Sequence, residues 1–424
     1  MRVLLAYTNR YRFMAPPPVG IAYLIRPLLA DGHEVKVVDL MFSSDPAAEL
    51  GNAIDEFKPE VVGFSLRNID NQSMGETEYF PRLDKKYVKI AKGKNAITVL
   101  GGTAFTTFPA LIFDYMGADF GIAGQGERSM PRLIKSLESG CLDESIPGLV
   151  WRDKGKVRTN PPDLNGYAAS LAEWDIIKLE GYASGLFPGA VVTKSGCPHK
   201  CAYCNVTSSF GSNFTYRDPS EIVEEIKALK GSGISGITLV DACFNVPIGY
   251  AKDALTAIAA AHLSIRIHTA FVPVRGHYDD ELFELYKAAG GVVISLGTET
   301  FSEKMLMSYG KPFTVDDVRA CASLCDKHDV PFMIHALFGG PGESSDTIKE
   351  SMEVLRDIHC SEFVYNIGVR LLPGTTLFEV AKKEGVLKDA SELFYPRFYV
   401  SKDLNVEWAD GYIKGKLEEY GLLK

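Results

Sequence analysis

The sequence contains no long hydrophobic run. None of its 424 residues lies in a stretch approaching the roughly 18 consecutive apolar residues needed to span a bilayer as a helix. The apolar start, residues 1–7, runs directly into polar Thr8 and is too short for the core of a signal peptide. We therefore expect no membrane segment, a first buried strand within residues 1–7, and a cytoplasmic location.

The sequence also has no excess of positive charge. Its 45 Lys and Arg residues are outnumbered by 54 Asp and Glu residues, which gives a formal net charge of −9. A nucleic acid or an anionic membrane attracts a basic surface, so the bulk charge favours neither partner. Hydrophobic residues are 46% and charged residues 23%, as in ordinary globular proteins. The length predicts two or three domains.

Cysteine is scarce and unevenly placed. Seven of the eight cysteines lie after residue 190, and only Cys141 precedes it. A disulfide framework would need a denser and more regular set of cysteines. We therefore expect free thiols, with a local role after residue 190.

The first 144 residues alternate short apolar runs with helical stretches. Short buried strands separated by helices are typical of a doubly wound parallel sheet, in which ligands sit on loops at the carboxyl ends of the strands. We expect an N-terminal α/β domain over residues 1–144, with strands at residues 3–7, 35–38, 61–65, 97–100 and 120–123.

The rest of the chain divides into three parts. Residues 145–184 have the pattern of a linker with a small hairpin, whose turn falls near residues 153–156. Six strand–helix units follow over residues 185–385, which predicts a partial parallel (β/α)6 barrel with its active site at the carboxyl ends of the strands. Residues 386–424 form a C-terminal extension.

Three cysteines stand close together in a loop that follows the first predicted barrel strand. Cys197, Cys201 and Cys204 have the spacing C-x3-C-x2-C, and three such thiolates can hold three irons of a cubane cluster, leaving the fourth iron open. The spacing favours this interpretation over a structural zinc ion, which needs four ligands and would have to recruit His199.

Other cysteines provide an internal comparison. Cys321 and Cys325 also have C-x3-C spacing, but they lie in a helical pattern without a third cysteine. Buried free cysteine is common, so we expect both to be core residues. Cys243 lies near the end of a predicted strand, where a reactive thiol is the alternative to the packing role that we favour.

The cysteine motif, with an aromatic residue before its last cysteine, resembles the signature of the radical SAM enzymes. The resemblance implies that the open iron binds S-adenosylmethionine and that an electron from the cluster cleaves it to a 5′-deoxyadenosyl radical. It also implies contacts to this cofactor from Asp241 at its methionine part, from Glu299 near its ribose, from the glycine-rich adenine turn, and from the aromatic residue of the motif. These residues are Tyr203, Asp241, Glu299, Gly339, Gly340 and Pro341.

The N-terminal half resembles the cobalamin-binding domain that often precedes such a barrel. The resemblance rests on the segments 17–24, 100–103 and 124–127, although Gln125 stands where that family usually has glutamate. No D-x-H-x-x-G motif occurs, so we expect cobalt without a histidine ligand from below. The implied cobalamin contacts are Ser65, Arg67, Asn68, Gly101, Gly102, Thr103, Gly124, Gly126 and Glu127.

Together the two resemblances imply a cobalamin-dependent methyltransferase. It would act on an unreactive carbon or phosphorus centre of a small molecule and take electrons from a donor such as flavodoxin or ferredoxin. A non-methylating radical reaction and an iron–sulfur sensor remain alternatives, whereas a methylthiotransferase would need a second cysteine trio. The sequence assigns no catalytic residue; Arg266, His268, His335 and Arg370 are candidates for substrate contacts.

Overall fold

The computed structural model describes residues 1–11, 15–164, 171–183, 185 and 187–423. The strands, numbered in chain order, are β1 (Arg2–Tyr7), β2 (Glu34–Asp39), β3 (Val61–Ser65), β4 (Ile97–Gly101), β5 (Phe120–Ile122), β6 (Leu149–Asp153), β7 (Lys156–Thr159), β8 (Gly189–Val191), β9 (Lys194–Ser195), β10 (Thr215–Tyr216), β11 (Gly236–Leu239), β12 (Arg266–Phe271), β13 (Gly291–Glu299), β14 (Phe332–Phe338), β15 (Glu362–Ile367), β16 (Val369–Arg370) and β17 (Phe398–Tyr399).

The helices alternate with these strands. They are α1 (Val19–Ala30), α2 (Pro46–Phe57), α3 (Pro81–Gly93), α4 (Thr103–Thr107), α5 (Pro109–Met116), α6 (Ser129–Ser139), α7 (Val206–Phe210), α8 (Pro219–Gly231), α9 (Ile248–Ala260), α10 (Asp280–Ala288), α11 (Glu303–Ser308), α12 (Val315–Lys327), α13 (Ser345–Arg356), α14 (Thr376–Lys383) and α15 (Val406–Glu419), with a 3-10 helix at Ala390–Phe394. None of the helices in the described ranges has both the length and the hydropathy to cross a membrane.

The N-terminal domain is built on a seven-stranded sheet. Its strand order is β2-β1-β3-β4-β5-β6-β7, and the first five strands run parallel. Consecutive residues such as Val3, Leu4 and Leu5 of β1 are all buried. A strand that is apolar on both faces must be covered on both, which is the reason for the helix layers of this fold.

The hairpin predicted within the linker forms, but it belongs to this sheet. Strands β6 and β7 pair antiparallel and continue the sheet beyond β5, with Phe120 opposite Trp151. Its turn residues, Lys154 and Gly155, both have positive φ, as a two-residue hairpin requires. The hairpin covers the otherwise open edge of β5 and buries Leu149 and Val150. Residues 165–170 and 184 of the predicted linker lie outside the described residues.

The second domain is an open barrel of six parallel strands. Their order is β8-β11-β12-β13-β14-β15, with helices between successive strands. The predicted fold class, a doubly wound sheet followed by a partial (β/α)6 barrel, is therefore confirmed. The C-terminal segment adds β17 beside β16, and α15 packs on α13.

The two domains pack into one continuous core. A single cluster of buried side chains includes Tyr7 and Ile21 of the first domain together with the barrel residues. A second link is polar: Arg370 Nε donates to Asp70 Oδ2 at 2.8 Å, and both side chains are buried. Arg370 is thus occupied by an interdomain ion pair, which corrects its interpretation as a substrate contact.

Candidate cluster and cobalamin site

The cysteine loop lies between β9 and α7 at the mouth of the barrel. Its backbone is fastened at two points, because Ala202 N donates to Tyr309 O at 2.8 Å and Leu377 N donates to Ala202 O at 2.8 Å. Gly196, directly ahead of Cys197, has φ +92°, and a Cβ there would lie 2.2 Å from Asn213 O. The glycine is therefore needed for the chain to enter this loop.

The three thiols of the loop face a common region without converging on one point. Cys197 is buried, and Cys201 and Cys204 are half-buried. In the described ranges, no three His, Cys, Asp or Glu side chains are close enough to hold one metal ion. A structural zinc ion needs four convergent ligands, whereas a cubane cluster takes each thiolate on a different iron. Burial raises the pKa of the Cys201 thiol to about 11, so the thiolate needed for ligation must be stabilised by the metal itself.

Glu299 lies beside this loop in a strained conformation. It ends β13 with φ +60°, an unusual value for a residue other than glycine, and such strain often marks a functional position. Its carboxylate forms an ion pair with the buried ammonium of Lys311, which also lies 5.4 Å from the centre of the Tyr203 ring. Sequence reasoning missed Lys311, because only the fold brings the segment after α11 to the end of β13.

The glycine-rich turn after β14 is held against the same region. Gly340 N donates to the Tyr309 hydroxyl at 3.2 Å, and a Cβ on Gly340 would lie 2.3 Å from the Tyr309 ring. Gly339 N donates to Glu343 at 3.3 Å, and burial raises the pKa of Glu343 to about 7. The backbone carbonyl of Tyr309 also accepts a hydrogen bond from the cysteine loop, and the centre of its ring lies 5.5 Å from that of Tyr203. Tyr309 therefore packs the glycine-rich turn against the cysteine loop.

Asp241 does not have the environment expected of a cofactor contact. Its side chain is 1% exposed and accepts hydrogen bonds from Thr193 N at 2.8 Å, Lys194 N at 3.2 Å and Lys194 Nζ at 3.1 Å, as well as from the Thr193 hydroxyl. These donors occupy the carboxylate and leave it inaccessible. In this structure Asp241 holds the chain that leads into the cysteine loop, and its contact with the methionine part of the cofactor stays a prediction.

A cavity of about 510 Å³ lies between the N-terminal sheet and the barrel mouth. The barrel side of its wall includes Ser195, Gly196 and Val240, so the cavity reaches the entry of the cysteine loop. Eight of the nine residues predicted to contact cobalamin line it, namely Ser65, Arg67, Gly101, Gly102, Thr103, Gly124, Gly126 and Glu127. Asn68 is the exception: it does not line the cavity, and its amide lies beside Arg67.

Two buried oxygen atoms in this wall test whether cobalamin fits. Gln125 Oε1 and Glu127 Oε2 have no hydrogen-bond partner within the described part of the chain. Buried acceptors of this kind are costly unless a donor reaches them. The amide side chains of a corrin are N–H donors, and the mostly apolar lining suits its flat ring. None of the described residues that line the cavity is a histidine, in line with the missing D-x-H-x-x-G motif.

The backbone requires a glycine at one position of the cavity wall but not at another. Gly102 has φ +91°, and a Cβ there would lie 2.5 Å from Leu66 O, so the backbone itself requires glycine. Gly20, in contrast, lines the cavity and would have no atom within 4 Å of an added Cβ. Gly20 is therefore the better position at which to fill the cavity without disturbing the fold.

Two family matches agree with this division of the chain. The sequence model of the radical SAM superfamily matches residues 191–355, and that of the B12 binding domain matches residues 13–134. The chain therefore contains a radical SAM domain preceded by a B12-binding domain. Both predicted resemblances are confirmed, and with them the cofactor set of a 4Fe-4S cluster, S-adenosylmethionine and cobalamin.

Individual relatives match most of the chain. The tryptophan 2-C-methyltransferase of Streptomyces laurentii is 26% identical over 430 residues, covering 84% of this chain and 71% of that protein. The anaerobic magnesium-protoporphyrin IX monomethyl ester cyclase of Rubrivivax gelatinosus is 25% identical, covering 84% of this chain and 66% of that protein. The structure of the methyltransferase TsrM from Kitasatospora setae, with cobalamin and a 4Fe-4S cluster bound, has a TM-score of 0.88 at 23% identity and covers 98% of this chain and 90% of TsrM.

The cysteine loop generates the first prediction. Anaerobically reconstituted protein should hold about four irons per chain, as one thiolate-held cubane cluster requires. Replacing Cys197, Cys201 and Cys204 together by alanine should abolish iron binding, measured by iron and sulfide analysis. Cys321→Ala removes a buried thiol of the same C-x3-C spacing from α12 and should keep full iron content. A triple variant that retains its cluster contradicts the assignment.

A second prediction concerns Glu299. Glu299→Gln removes the charge but keeps a group that can accept from Lys311, so the fold and the iron content should persist. If Glu299 binds S-adenosylmethionine, the substitution turns a hydrogen bond to a charged acceptor, worth about 1.5–3 kcal/mol, into one to a neutral acceptor, worth about 0.5–1.5 kcal/mol, so the affinity should fall roughly five- to tenfold. Equilibrium dialysis measures this change. Glu281→Gln, at a 67% exposed side chain on the barrel exterior, is the control. Equal dissociation constants for Glu299→Gln and wild type remove Glu299 from the site.

A third prediction concerns the cavity. Wild-type protein should take up about one cobalamin per chain, and the Co(II) resonance spectrum should lack the nitrogen coupling of an imidazole ligand. Gly20→Trp should block uptake, because its side chain would enter the space available to the corrin, and should spare the iron content. Leu29→Trp, at a 43% exposed position on the same helix, should bind cobalamin normally. Normal uptake by Gly20→Trp would place the corrin elsewhere.

Proposed function

We propose that the protein is a cobalamin-dependent radical SAM methyltransferase acting on an unreactive carbon or phosphorus centre of a small molecule. The observation that carries the proposal is the wall shared by the two candidate sites. Ser195 and Gly196 line the cavity of the N-terminal sheet and lead directly into Cys197. A corrin in the cavity and a cluster on the loop would therefore lie next to each other, as the passage of a methyl group to an activated substrate requires.

When bound, cobalamin carries the methyl group, and the reduced cluster supplies the electron that cleaves S-adenosylmethionine. The chain itself holds and orients these groups. The thiolates of Cys197, Cys201 and Cys204 would ligate iron, while Glu299 and the Gly339–Gly342 turn would bind the nucleoside. Gln125 and Glu127 would accept hydrogen bonds from corrin amides. An apolar wall around them excludes water, which protects a reactive radical from side reactions.

Relatives support a small-molecule substrate. The relative from Streptomyces laurentii is named for methylation of a carbon of tryptophan, and a structure of TsrM holds tryptophan together with an analogue of S-adenosylmethionine. Methylation of a carbon atom of a small molecule agrees with the proposal. The electron donor would be a small redox protein such as flavodoxin or ferredoxin, docking near the cysteine loop.

A second candidate is a radical reaction without methyl transfer. The relative from Rubrivivax gelatinosus is named as a cyclase, and its match spans 84% of this chain. A protein that matches most of this chain is therefore named for a reaction other than methyl transfer. A sensor without enzymatic activity is the alternative from another class.

Product analysis distinguishes these candidates. Reduced, reconstituted protein is incubated with S-adenosylmethionine, with and without cobalamin, and S-adenosylhomocysteine and 5′-deoxyadenosine are quantified. A methyltransferase should release about one S-adenosylhomocysteine per bound cobalamin even without substrate, and none when cobalamin is omitted. Gly20→Trp should behave like the cobalamin-free sample, and Leu29→Trp like wild type. Formation of 5′-deoxyadenosine alone would indicate the non-methylating reaction, and neither product would indicate a sensor.

A further inference from the structure

Cys243 lies directly behind the first cysteine of the cluster loop. It follows β11, is 1% exposed, and places its Sγ 3.9 Å from the Sγ of Cys197. The two cysteines and Val246 form a small apolar cluster of their own, packed against Val206, Phe214 and Val272. The thiol of Cys243 is thus buried in contact with a sulfur that the cluster needs.

Iron ligation would determine which of the two sulfurs donates the hydrogen bond. Between two protonated thiols, either sulfur could be the donor. A cysteine that ligates iron has lost its proton, so Cys197 would be able only to accept. Within the described residues, Cys197 is the one hydrogen-bond partner of the Cys243 side chain. The S–H of Cys243 therefore has one acceptor in reach, and it is the ligating sulfur.

We propose that Cys243 is a positioning residue that donates an S–H···S hydrogen bond to the Cys197 thiolate and thereby raises the reduction potential of the cluster. This rests on the proposed function, since it takes Cys197 as an iron ligand. Hydrogen bonds to the cysteine sulfurs are among the factors that set the potential of an iron–sulfur cluster. The reduced cluster carries one more negative charge, so a donor at its sulfur stabilises that state more than the oxidised one.

The chain contains a natural control for a buried thiol contact. Cys325 on α12 lies against Cys321, and both side chains are fully buried. Neither residue belongs to the cysteine loop or to the cluster around Cys243. Cys321→Ala therefore makes the same truncation as Cys243→Ala and removes a thiol–thiol contact, without affecting a ligating sulfur.

Redox titration of the full-length, anaerobically reconstituted protein tests the proposal. Cys243→Ala should hold as much iron as wild type but have a lower midpoint potential, by about tenfold in the reduction equilibrium, or about 59 mV for a one-electron couple. Cys243→Ser retains a donor and should recover part of this shift, whereas Cys321→Ala should titrate like wild type. An unchanged potential in Cys243→Ala with full iron content would reduce Cys243 to a packing residue.

A spectroscopic measurement adds a readout that packing alone does not change. Electron–nuclear double resonance of the reduced cluster after exchange into D2O should detect a deuteron coupled through Cys197. The coupling should be present in wild type and Cys321→Ala and absent in Cys243→Ala. Its absence from wild type overturns the proposal, even if the alanine variant does not fold.

Iron content distinguishes failure of this proposal from failure of the proposed function. If Cys243→Ala loses the cluster while Cys197→Ala keeps it, Cys243 rather than Cys197 is the iron ligand, and the proposed donor role is wrong. If wild type binds no iron, the proposed function itself fails, and this result is distinct from a cluster whose potential does not respond to residue 243.

Discussion

One buried polar contact fixes the two domains relative to each other. The Tyr23 hydroxyl of α1 donates to Glu225 of α8 at 3.0 Å, and Arg217 donates to the same carboxylate at 2.6 Å. The Arg217 and Glu225 side chains are completely buried, an arrangement that is costly unless the charges are paired and hydrogen-bonded. Arg217 also donates to Val192 O at 2.8 Å, just past the first barrel strand. The contact therefore holds the entry to the cysteine loop against the helix whose Gly20 lines the cavity.

Two buried lysines near the cysteine loop are each paired with a carboxylate, so they hold neighbouring segments together without adding net positive charge. Lys194 is paired with Asp241, and Lys311 is paired with Glu299. Each pair is neutral as a whole, so neither offsets the negative charge that three thiolates bring. The Lys194 ammonium is further confined by the surrounding aromatic rings of Phe214, Phe244 and Tyr250. The first pair holds the chain that leads into the loop, and the second lies against the Tyr203 ring within the loop.

The parts of the site that local sequence encodes were predictable. The cysteine spacing, the short apolar runs of the strands and the glycine turn each depend on residues a few positions apart. The partners of single side chains were not predictable, because they come from distant segments: Asp70 meets Arg370 across 300 positions. Asp241 was assigned to the cofactor from its place at a strand end, since nothing in the sequence indicates that Lys194 takes its carboxylate. Gly102 was assigned to cobalamin by resemblance, whereas its close approach to the Leu66 carbonyl, which no sequence pattern reveals, already requires a glycine there.

The frame that holds the cofactors cannot by itself determine the reaction, since relatives named as a methyltransferase and as a cyclase both match most of this chain. The difference must lie where a substrate would enter, on the inner face of the barrel strands. There His268 is bound to Ser295 at 2.9 Å and to Thr238 at 3.3 Å, and burial lowers its pKa to about 4, so it is neutral at pH 7. Burial also lowers the pKa of His335 on β14, whose ring makes no hydrogen bond within the described residues. A substrate that reached His335 would therefore meet a neutral ring with unused hydrogen-bonding capacity, and such a ring selects by geometry rather than by charge.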